Sequence, residues 1–313
     1  LPEQIYSGSL QGGFKMKTTA QLLSGIKEGD YLSLARGLTL VENELPGSTE
    51  ILQALQINHD IPVIGITGPP GAGKSTLLNA MIGIWTAQGK KVAVLAVDPT
   101  SPFNLGSLLG DRIRMSAHFN NPDIYIRSVA TRGSLGGLAG KIIEMTDILR
   151  SSNFDYILIE TVGVGQSEIE IAGLADITMI VLVPESGDEI QHIKSGLMEI
   201  GNVFIVNKAD RDGAESFANR LRKSLHSRAD LIPVFTTVAD KNVGTDKIMQ
   251  WLDTSDIKTN ERRLFLYAEK AYKLIQHKRM LDLSKTNLQL HLSATYLHTD
   301  FNLYRFIEQY DHK

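Results

Sequence analysis

Apolar positions along this chain fall into three regimes. From Thr18 to about Asn58, Leu22, Leu23, Ile26, Leu32, Leu34, Leu38 and Leu40 recur at helical spacing, broken at Gly29 and Pro46. The middle of the chain carries short apolar runs: Pro62–Thr67, Lys91–Val97, Asp123–Val129, Tyr156–Glu160, Ile177–Val183, Val203–Val206 and Leu231–Thr236. Continuous β-branched runs of this kind suit strands covered on both faces. Helix-compatible stretches separate most of them, among them Lys74–Gln88, Gly137–Arg150, Glu189–Ile200 and Ala214–His226. Such alternation predicts an α/β fold with a doubly wound, mostly parallel sheet. Past Trp251 the alternation stops. Leu264, Tyr267, Ala268, Ala271, Tyr272 and Ile275 predict a long amphipathic helix, with further helix through Tyr310. The expected organisation is a leader or disordered segment over 1–17, an N-terminal helical extension over 18–58, the α/β domain over 59–256 and a C-terminal helical arm over 257–313.

Composition narrows the function classes. The 32 Lys+Arg against 35 Asp+Glu leave a net charge of −3, so a nucleic-acid partner held by bulk electrostatics is not expected. The absence of cysteine excludes disulfides, thiolate nucleophiles, iron–sulfur clusters and Cys-ligated zinc. The eight histidines include no i, i+3 or i, i+4 pair, which leaves no second metal site to argue for. The longest apolar runs, such as Ile177–Val183, are strand-sized, so no membrane span is expected. Within residues 1–30, Lys15, Lys17 and Lys27 balance Glu3, Glu28 and Asp30, which is not the charge pattern of a targeting segment. A cytoplasmic protein is expected.

One segment carries specific chemistry. Gly68-Pro69-Pro70-Gly71-Ala72-Gly73-Lys74-Ser75 matches G-x-x-x-x-G-K-[ST], with Thr76 continuing the site. Its fixed positions would coincide by chance about 0.01–0.02 times in such a chain, so an incidental glycine turn is a poor explanation. A predicted strand leads in and a predicted helix leads out, as the motif requires. Glycines let the backbone wrap a polyphosphate, and the helix presents its positive end. Lys74 then faces β/γ oxygens and the Ser75 hydroxyl is placed for Mg²⁺. The fold expected is that of a P-loop NTPase.

Asn207-Lys208-Ala209-Asp210 closes a later strand. A carboxylate at Asp210 can accept from guanine N1–H and the N2 amine, whereas adenine would leave it unpaired. Asn207 can tie the loop to the base or to the phosphate loop, and the Lys208 stem can lie over the ring. GTP and GDP are therefore the expected ligands. Asp98 and Glu160 end neighbouring strands, where ligands gather in open α/β sheets. Acids there suit Mg²⁺, held directly or through water. Asp111, thirteen residues after Asp98, is a third acid of this group. Glu160 could also position the attacking water, and Gly163 could offer its N–H to a γ-phosphate. The segment Arg127–Gly137 reads as a glycine-rich connection before a helix: a mobile switch, a partner-contact loop, or a plain loop with Ser134 as the helix cap.

The strings VENELPGSTEILQAL, GITGPPGAGKSTLLNA, VDPTSP, LLGDRIRM, RGSLGGLA, ETVGVGQSE and NKAD, in that order, resemble the MeaB/ArgK family of SIMIBI-class P-loop GTPases over about Gln21–Trp251. That family includes the human protein defective in methylmalonic aciduria of the cblA type. The resemblance implies a slow, Mg²⁺-dependent, homodimeric GTPase. Its implied partner is adenosylcobalamin-dependent methylmalonyl-CoA mutase, whose cofactor loading it would gate and which it would protect. Lys74, Ser75, Asp98, Asp111 and Glu160 match the family's phosphate, Mg²⁺ and switch positions, with Lys74, Glu160 and Asp111 as catalytic candidates. Asn207, Lys208 and Asp210 match its guanine site. Three segments depart from the pattern, one of them the tail beyond Trp251, which does not resemble the family's C-terminal arm. Asn104-Leu105 stands where a Gly-Gly pair is usual, and Val238-Ala239 replaces the Ser-Ala of the late guanine loop, where the Ala239 N–H could reach guanine O6. Two other functions compete: a P-loop kinase of the arginine/ornithine transport type, for which no acceptor base is identifiable, and a metallocentre-assembly GTPase, for which Cys/His clusters are lacking.

Overall fold

The computed structural model describes residues 17–98, 115, 118, 120–130, 141–161, 167–185, 195–225, 232–255, 261–280, 283–296, 301–308 and 310. By internal packing the chain divides into two compact units at Arg262–Arg263.

The first unit opens with three helices, α1 (Thr19–Glu28), α2 (Tyr31–Glu42) and α3 (Ser48–Ala54). A reciprocal cap starts α1: Thr18 accepts from the Gln21 N–H, and the Gln21 side chain accepts from the Thr18 N–H. Gly29 ends α1 in the left-handed region at φ +78, and Asp30 caps α2 by accepting from the N–H groups of Leu32 and Ser33.

Seven parallel strands follow among the described residues: β1 (Val63–Thr67), β2 (Val92–Asp98), β3 (Ile124–Ala130), β4 (Tyr156–Glu160), β5 (Ile177–Leu182), β6 (Val203–Val206) and β7 (Val234–Thr236). Their order is β3-β2-β4-β1-β5-β6-β7. This is the doubly wound α/β architecture expected. On one face, Leu77, Leu78, Met81 and Trp85 of α4 (Lys74–Ala87) pack on Ile64, Ile66, Val92 and Val94. On the other, Phe217 and Leu221 of the helix Ala214–Leu225 pack on Ile180, Leu182 and Phe204. Burial on both faces is why the strands read as unbroken apolar runs.

The N-terminal helices belong to this same unit. They are fastened to edge strand β3 and to the helix α5 (Ile142–Arg150). Tyr31 donates to the Pro122 carbonyl at 2.7 Å and lies edge-on to Tyr125 at 5.3 Å between ring centroids. Arg127 donates to Glu42, to the Thr39 hydroxyl and to the Ala35 carbonyl. At the N-terminal end of the sheet, the carboxylate of Asp176 accepts from Arg150 at 2.6 Å and from the Val63 N–H at 2.8 Å, all out of water.

Two sequence expectations change. The connection expected over Arg127–Gly137 gives up Arg127–Ala130 to the strand expected over Asp123–Val129, because the partner β2 runs as far as Asp98 and keeps the ladder going. The last strand begins at Val234 rather than Leu231, which lies outside the described residues; Pro233 has no N–H to give a ladder and only accepts from Phe204. The predicted helices Gly137–Arg150 and Glu189–Ile200 are described over Ile142–Arg150 and Ser195–Ile200.

Taken by itself, the second unit is helical: most of Glu261–Arg279, then Lys285–Thr295 and Leu303–Glu308. Tyr296, Phe301, Phe306 and Tyr310 form a chain of aromatic contacts with centroids 5.5–6.2 Å apart. Leu264, Phe265, Tyr272 and Ile275 of the long helix are exposed. Among the described residues no helix is long and apolar enough to cross a membrane.

Candidate nucleotide site

The phosphate loop joins the central strand β1 to α4, at the carboxyl end of the sheet. Three of its residues lie in the left-handed region: Gly68 at φ +142, Gly71 at +77 and Gly73 at +85. Glycine is needed at Gly68 and Gly73 for space as well. A Cβ would meet the Val181 carbonyl oxygen at 2.0 Å in the first case and Asn207 Nδ2 at 2.3 Å in the second. At Gly71 nothing lies within 4 Å, so the loop is open on that side. Lys74, at the start of α4, is only 7 % exposed. Its ammonium donates to the carbonyls of Gly68 and Pro69 at 3.0 and 3.1 Å, which curls the loop around it.

Ser75, next along α4, donates to Glu160 Oε1 at 2.7 Å, and both side chains are buried. The register explains the meeting: Glu160 ends β4 beside Ile66 of β1 and Ala96 of β2. A buried hydroxyl and carboxylate side by side are hard oxygen donors of the kind Mg²⁺ takes. Asp98 ends β2 level with Ala130 of β3, so its backbone stands at the same end of the sheet. The Asp98 side chain, Asp111, Gly163 and the segment 131–137 lie outside the described residues.

The Asn207–Asp210 turn follows β6. Asn207 is 2 % exposed and acts as a hub. Its Nδ2 donates to the Ala72 carbonyl at 2.9 Å, and its Oδ1 accepts from the Thr237 hydroxyl and the Ala239 N–H, each at 3.1 Å. Of the two expected roles, tying the phosphate loop is the one seen. The Ala239 N–H, expected to face guanine O6, is committed to Asn207 here. Val238 precedes it, with its own N–H given to the Val243 carbonyl. Lys208, in the left-handed region at φ +56, donates to the Gly71 carbonyl at 2.8 Å. Its stem therefore spans from the guanine turn to the phosphate loop. Asp210 is half-exposed and pairs with Lys241 at 3.0 Å. The hydrogen bond from Lys241 holds the Asp210 carboxyl below its ordinary range, and the same bond raises the Lys241 ammonium.

Several partners in this network carry no sequence signal. Thr237 and Lys241 belong to a loop read only for Val238 and Ala239. Thr67 and Thr161 lie inside two of the family-like strings, but neither has an expected role there. Each acquires its role from a side chain distant in the chain.

A parallel sheet with this loop at the end of its central strand defines a P-loop nucleoside-triphosphatase. More specifically, the chain belongs to the family of methylmalonyl Co-A mutase-associated GTPase MeaB, whose profile matches residues 34–281. A Pyrococcus abyssi protein described as a candidate GTPase is 42% identical over 274 residues, 85% of this chain and 82% of that one. GTPase ArgK of Escherichia coli is 38% identical over 206 residues, 64% of this chain and 62% of ArgK. The mitochondrial methylmalonic aciduria type A homolog of Mus musculus is 39% identical over 207 residues, 61% of this chain and 50% of that protein. In fold, the chain is similar to the crystal structure of a LAO/AO transport system kinase, with a TM-score of 0.68 and 24% identity, covering 96% of this chain and 99% of that one. The protein is a GTPase, and its nucleotide is a guanine nucleotide.

Proposed function

We propose that the chain is a GTP-driven chaperone of a cobalamin-dependent acyl-CoA mutase, most simply methylmalonyl-CoA mutase, and that it works as a cytoplasmic homodimer. The observation that carries the nucleotide half of this reading is the convergence of Lys74, Ser75 and Glu160 with the Asn207 hub at one end of the sheet. The partner half is supported by the family and by the name of its mouse relative. The apolar stripe Leu264–Ile275 needs a cover, either the core or another subunit, which is compatible with a dimer.

In this reading backbone N–H groups of Gly71–Thr76 bind the phosphates, Pro69 and Pro70 shape the loop without donating, and Lys74 trades its two carbonyl partners for β/γ oxygens. Ser75 and Glu160, with Asp98 and Asp111, would hold Mg²⁺, which supplies charge neutralisation of the phosphates. Glu160 orients the attacking water, and the Gly163 N–H senses the γ-phosphate. Asp210 leaves Lys241 to accept from guanine N1–H and N2–H, Lys208 covers the ring, and the Val238-Ala239 loop closes on its carbonyl edge. Hydrolysis does work only if a partner distinguishes the GTP from the GDP state, and then nucleotide must alter partner affinity to the same degree.

The test is co-elution of the purified protein with the mutase of its source organism, in GDP or a non-hydrolysable GTP analogue, together with hydrolysis rates. A complex favoured by one nucleotide and a faster hydrolysis rate are expected. No complex in either state and an unchanged rate would reject the mutase as client, leaving a GTPase with another partner.

A further inference from the structure

We propose that Thr67 and Thr161 are a pair of positioning residues that fix Glu160 against the phosphate loop for GTP hydrolysis. The Thr161 hydroxyl donates to the Thr67 hydroxyl at 2.8 Å, across 94 positions of chain. Both side chains are closed to solvent, at 1 % and 0 % exposure. The inference rests on the hydrolytic role proposed above for Glu160.

The two ends of this bond differ in rigidity. Thr67 is the last residue of the central strand and paired with Ile180 of β5. It is followed by Gly68, whose Cα is pressed so closely on the Val181 carbonyl that a Cβ would sit 2.0 Å from the oxygen. Thr67 is therefore a fixed point at the mouth of the phosphate loop. Thr161 is the first residue beyond β4 and takes the last ladder bond, from its N–H to the Ile66 carbonyl at 3.0 Å.

Strand geometry assigns the faces. Ile66 and Glu160 are register partners, and Glu160 turns to the α4 side, where Ser75 meets it. The next residues, Thr67 and Thr161, point to the opposite side. There the helix α6 (Ser167–Leu174) packs on β1: a Cβ at Gly65, on the same face as Thr67, would meet Ile171 at 2.5 Å. The chain thus leaves Glu160 on one face and must cross to reach α6 on the other, and Thr161 is where it is pinned. With that bond made, a pull arriving from α6 stops at Thr161. The bond adds a side-chain anchor to the backbone pairing that Glu160 already has with Ile66 of β1 and Ala96 of β2. A carboxylate that orients a reacting group loses rate steeply when displaced, whereas the phosphate loop and guanine turn have their own anchors in Lys74 and Asn207. The pair should therefore act on turnover and not on nucleotide affinity.

The experiment measures kcat, KM for GTP, GDP affinity and thermal midpoint for Thr161→Val, Thr67→Val, the double variant, Thr161→Ser and Glu160→Gln. Valine keeps the shape and removes the hydroxyl. Either valine variant is expected to lower kcat about tenfold or more, with GDP affinity near that of the parent. The double variant should lose no more than either single one, since one bond is removed in all three. Thr161→Ser, which keeps the hydroxyl, should turn over as the parent does. A merely structural role would lower the thermal midpoint and leave kcat per folded molecule unchanged. If Glu160→Gln is inactive while both valine variants keep the parental kcat, or if their losses multiply, the pairing is wrong and the Glu160 reading stands. If Glu160→Gln itself hydrolyses GTP at the parental rate, the Glu160 reading falls and the pair falls with it. Should Thr161→Val fail to fold, Thr67→Val tests the same bond from the rigid side.

Discussion

Ser75 and Glu160 stand 85 positions apart in the chain and share a buried hydrogen bond of 2.7 Å, hydroxyl to carboxylate. The bond joins the first turn of α4 to the end of β4, so it ties the phosphate loop to the acid of the neighbouring strand. Replacing Glu160 by Ala should cut GTP hydrolysis by about 10²-fold or more, as expected when a group that handles the attacking water is lost. GDP affinity should fall far less. Chelation of Mg²⁺ should halt turnover of the parent. Single-turnover hydrolysis and fluorescent-nucleotide titration separate the two effects, and a parental rate in Glu160→Ala would refute the assignment.

Base choice is expected to rest on Asp210. Asp210→Asn should weaken GTP by about 1–3 kcal/mol and favour xanthosine triphosphate, whose additional carbonyl accepts from an amide. Calorimetry with GTP, XTP and ATP reads this directly. Unchanged GTP affinity would move base recognition elsewhere on the loop.

The phosphate loop should tolerate a methyl group unequally. Gly68→Ala and Gly73→Ala both demand φ values that disfavour alanine and both collide, with the Val181 carbonyl and with Asn207 Nδ2 respectively. Gly71→Ala meets no neighbour within 4 Å and carries only the backbone strain, about 1–3 kcal/mol. Nucleotide affinity should therefore fall much further in the first two than in the third, and equal losses would contradict the geometry.

At the opposite end of the sheet, Asp176→Ala leaves the Arg150 guanidinium without its buried carboxylate. Loss of one partner from a buried ion pair costs about 3–5 kcal/mol, which denaturant unfolding would register as a lower midpoint at unchanged m-value. A change below about 1 kcal/mol would mean that water or another acid replaces the contact.

Acid sensitivity should include one local contribution from the N-terminal helices. The hydrogen bond from Lys17, then that from the Ser33 hydroxyl, lower Asp30 from 3.8 to about 2. A carboxyl depressed in the folded state stabilises fully above its unfolded value, and the stabilisation is lost as pH falls through the folded one. Asp30→Asn should therefore flatten the stability curve between about pH 4 and pH 2 and leave its slope near neutrality unaltered. Urea midpoints across that range provide the check.

Much of this protein is written locally. The strands show as unbroken apolar runs because each is covered on both faces, and Ile64, Ile66, Val92 and Val94 could be read as core without any knowledge of their neighbours. The phosphate loop is legible because its chemistry needs consecutive backbone positions: glycines at Gly68 and Gly73, then Lys74 and Ser75. The Asn207–Asp210 turn is legible for the same reason, as four consecutive residues closing one strand.

What the sequence leaves open is every relationship between elements distant along the chain. Helical spacing marks α1–α3 but does not say that they lie on β3, which depends on Tyr31 finding Tyr125 and Arg127 reaching Glu42. Asn207 shows in the sequence as the start of a turn, and the fold makes it a tie to the phosphate loop by bringing the Ala72 carbonyl within 2.9 Å. Arg127 falls both in an expected strand and in an expected connection, and the ladder with β2 selects the strand. Thr67 and Thr161 are ordinary strand-end threonines in the sequence. Only the pairing of β1 with β4 puts their hydroxyls 2.8 Å apart in a place water cannot enter. Local pattern fixes periodicity and backbone chemistry, because both depend on adjacent residues; partnership between side chains depends on strand order and register, which long-range packing alone selects.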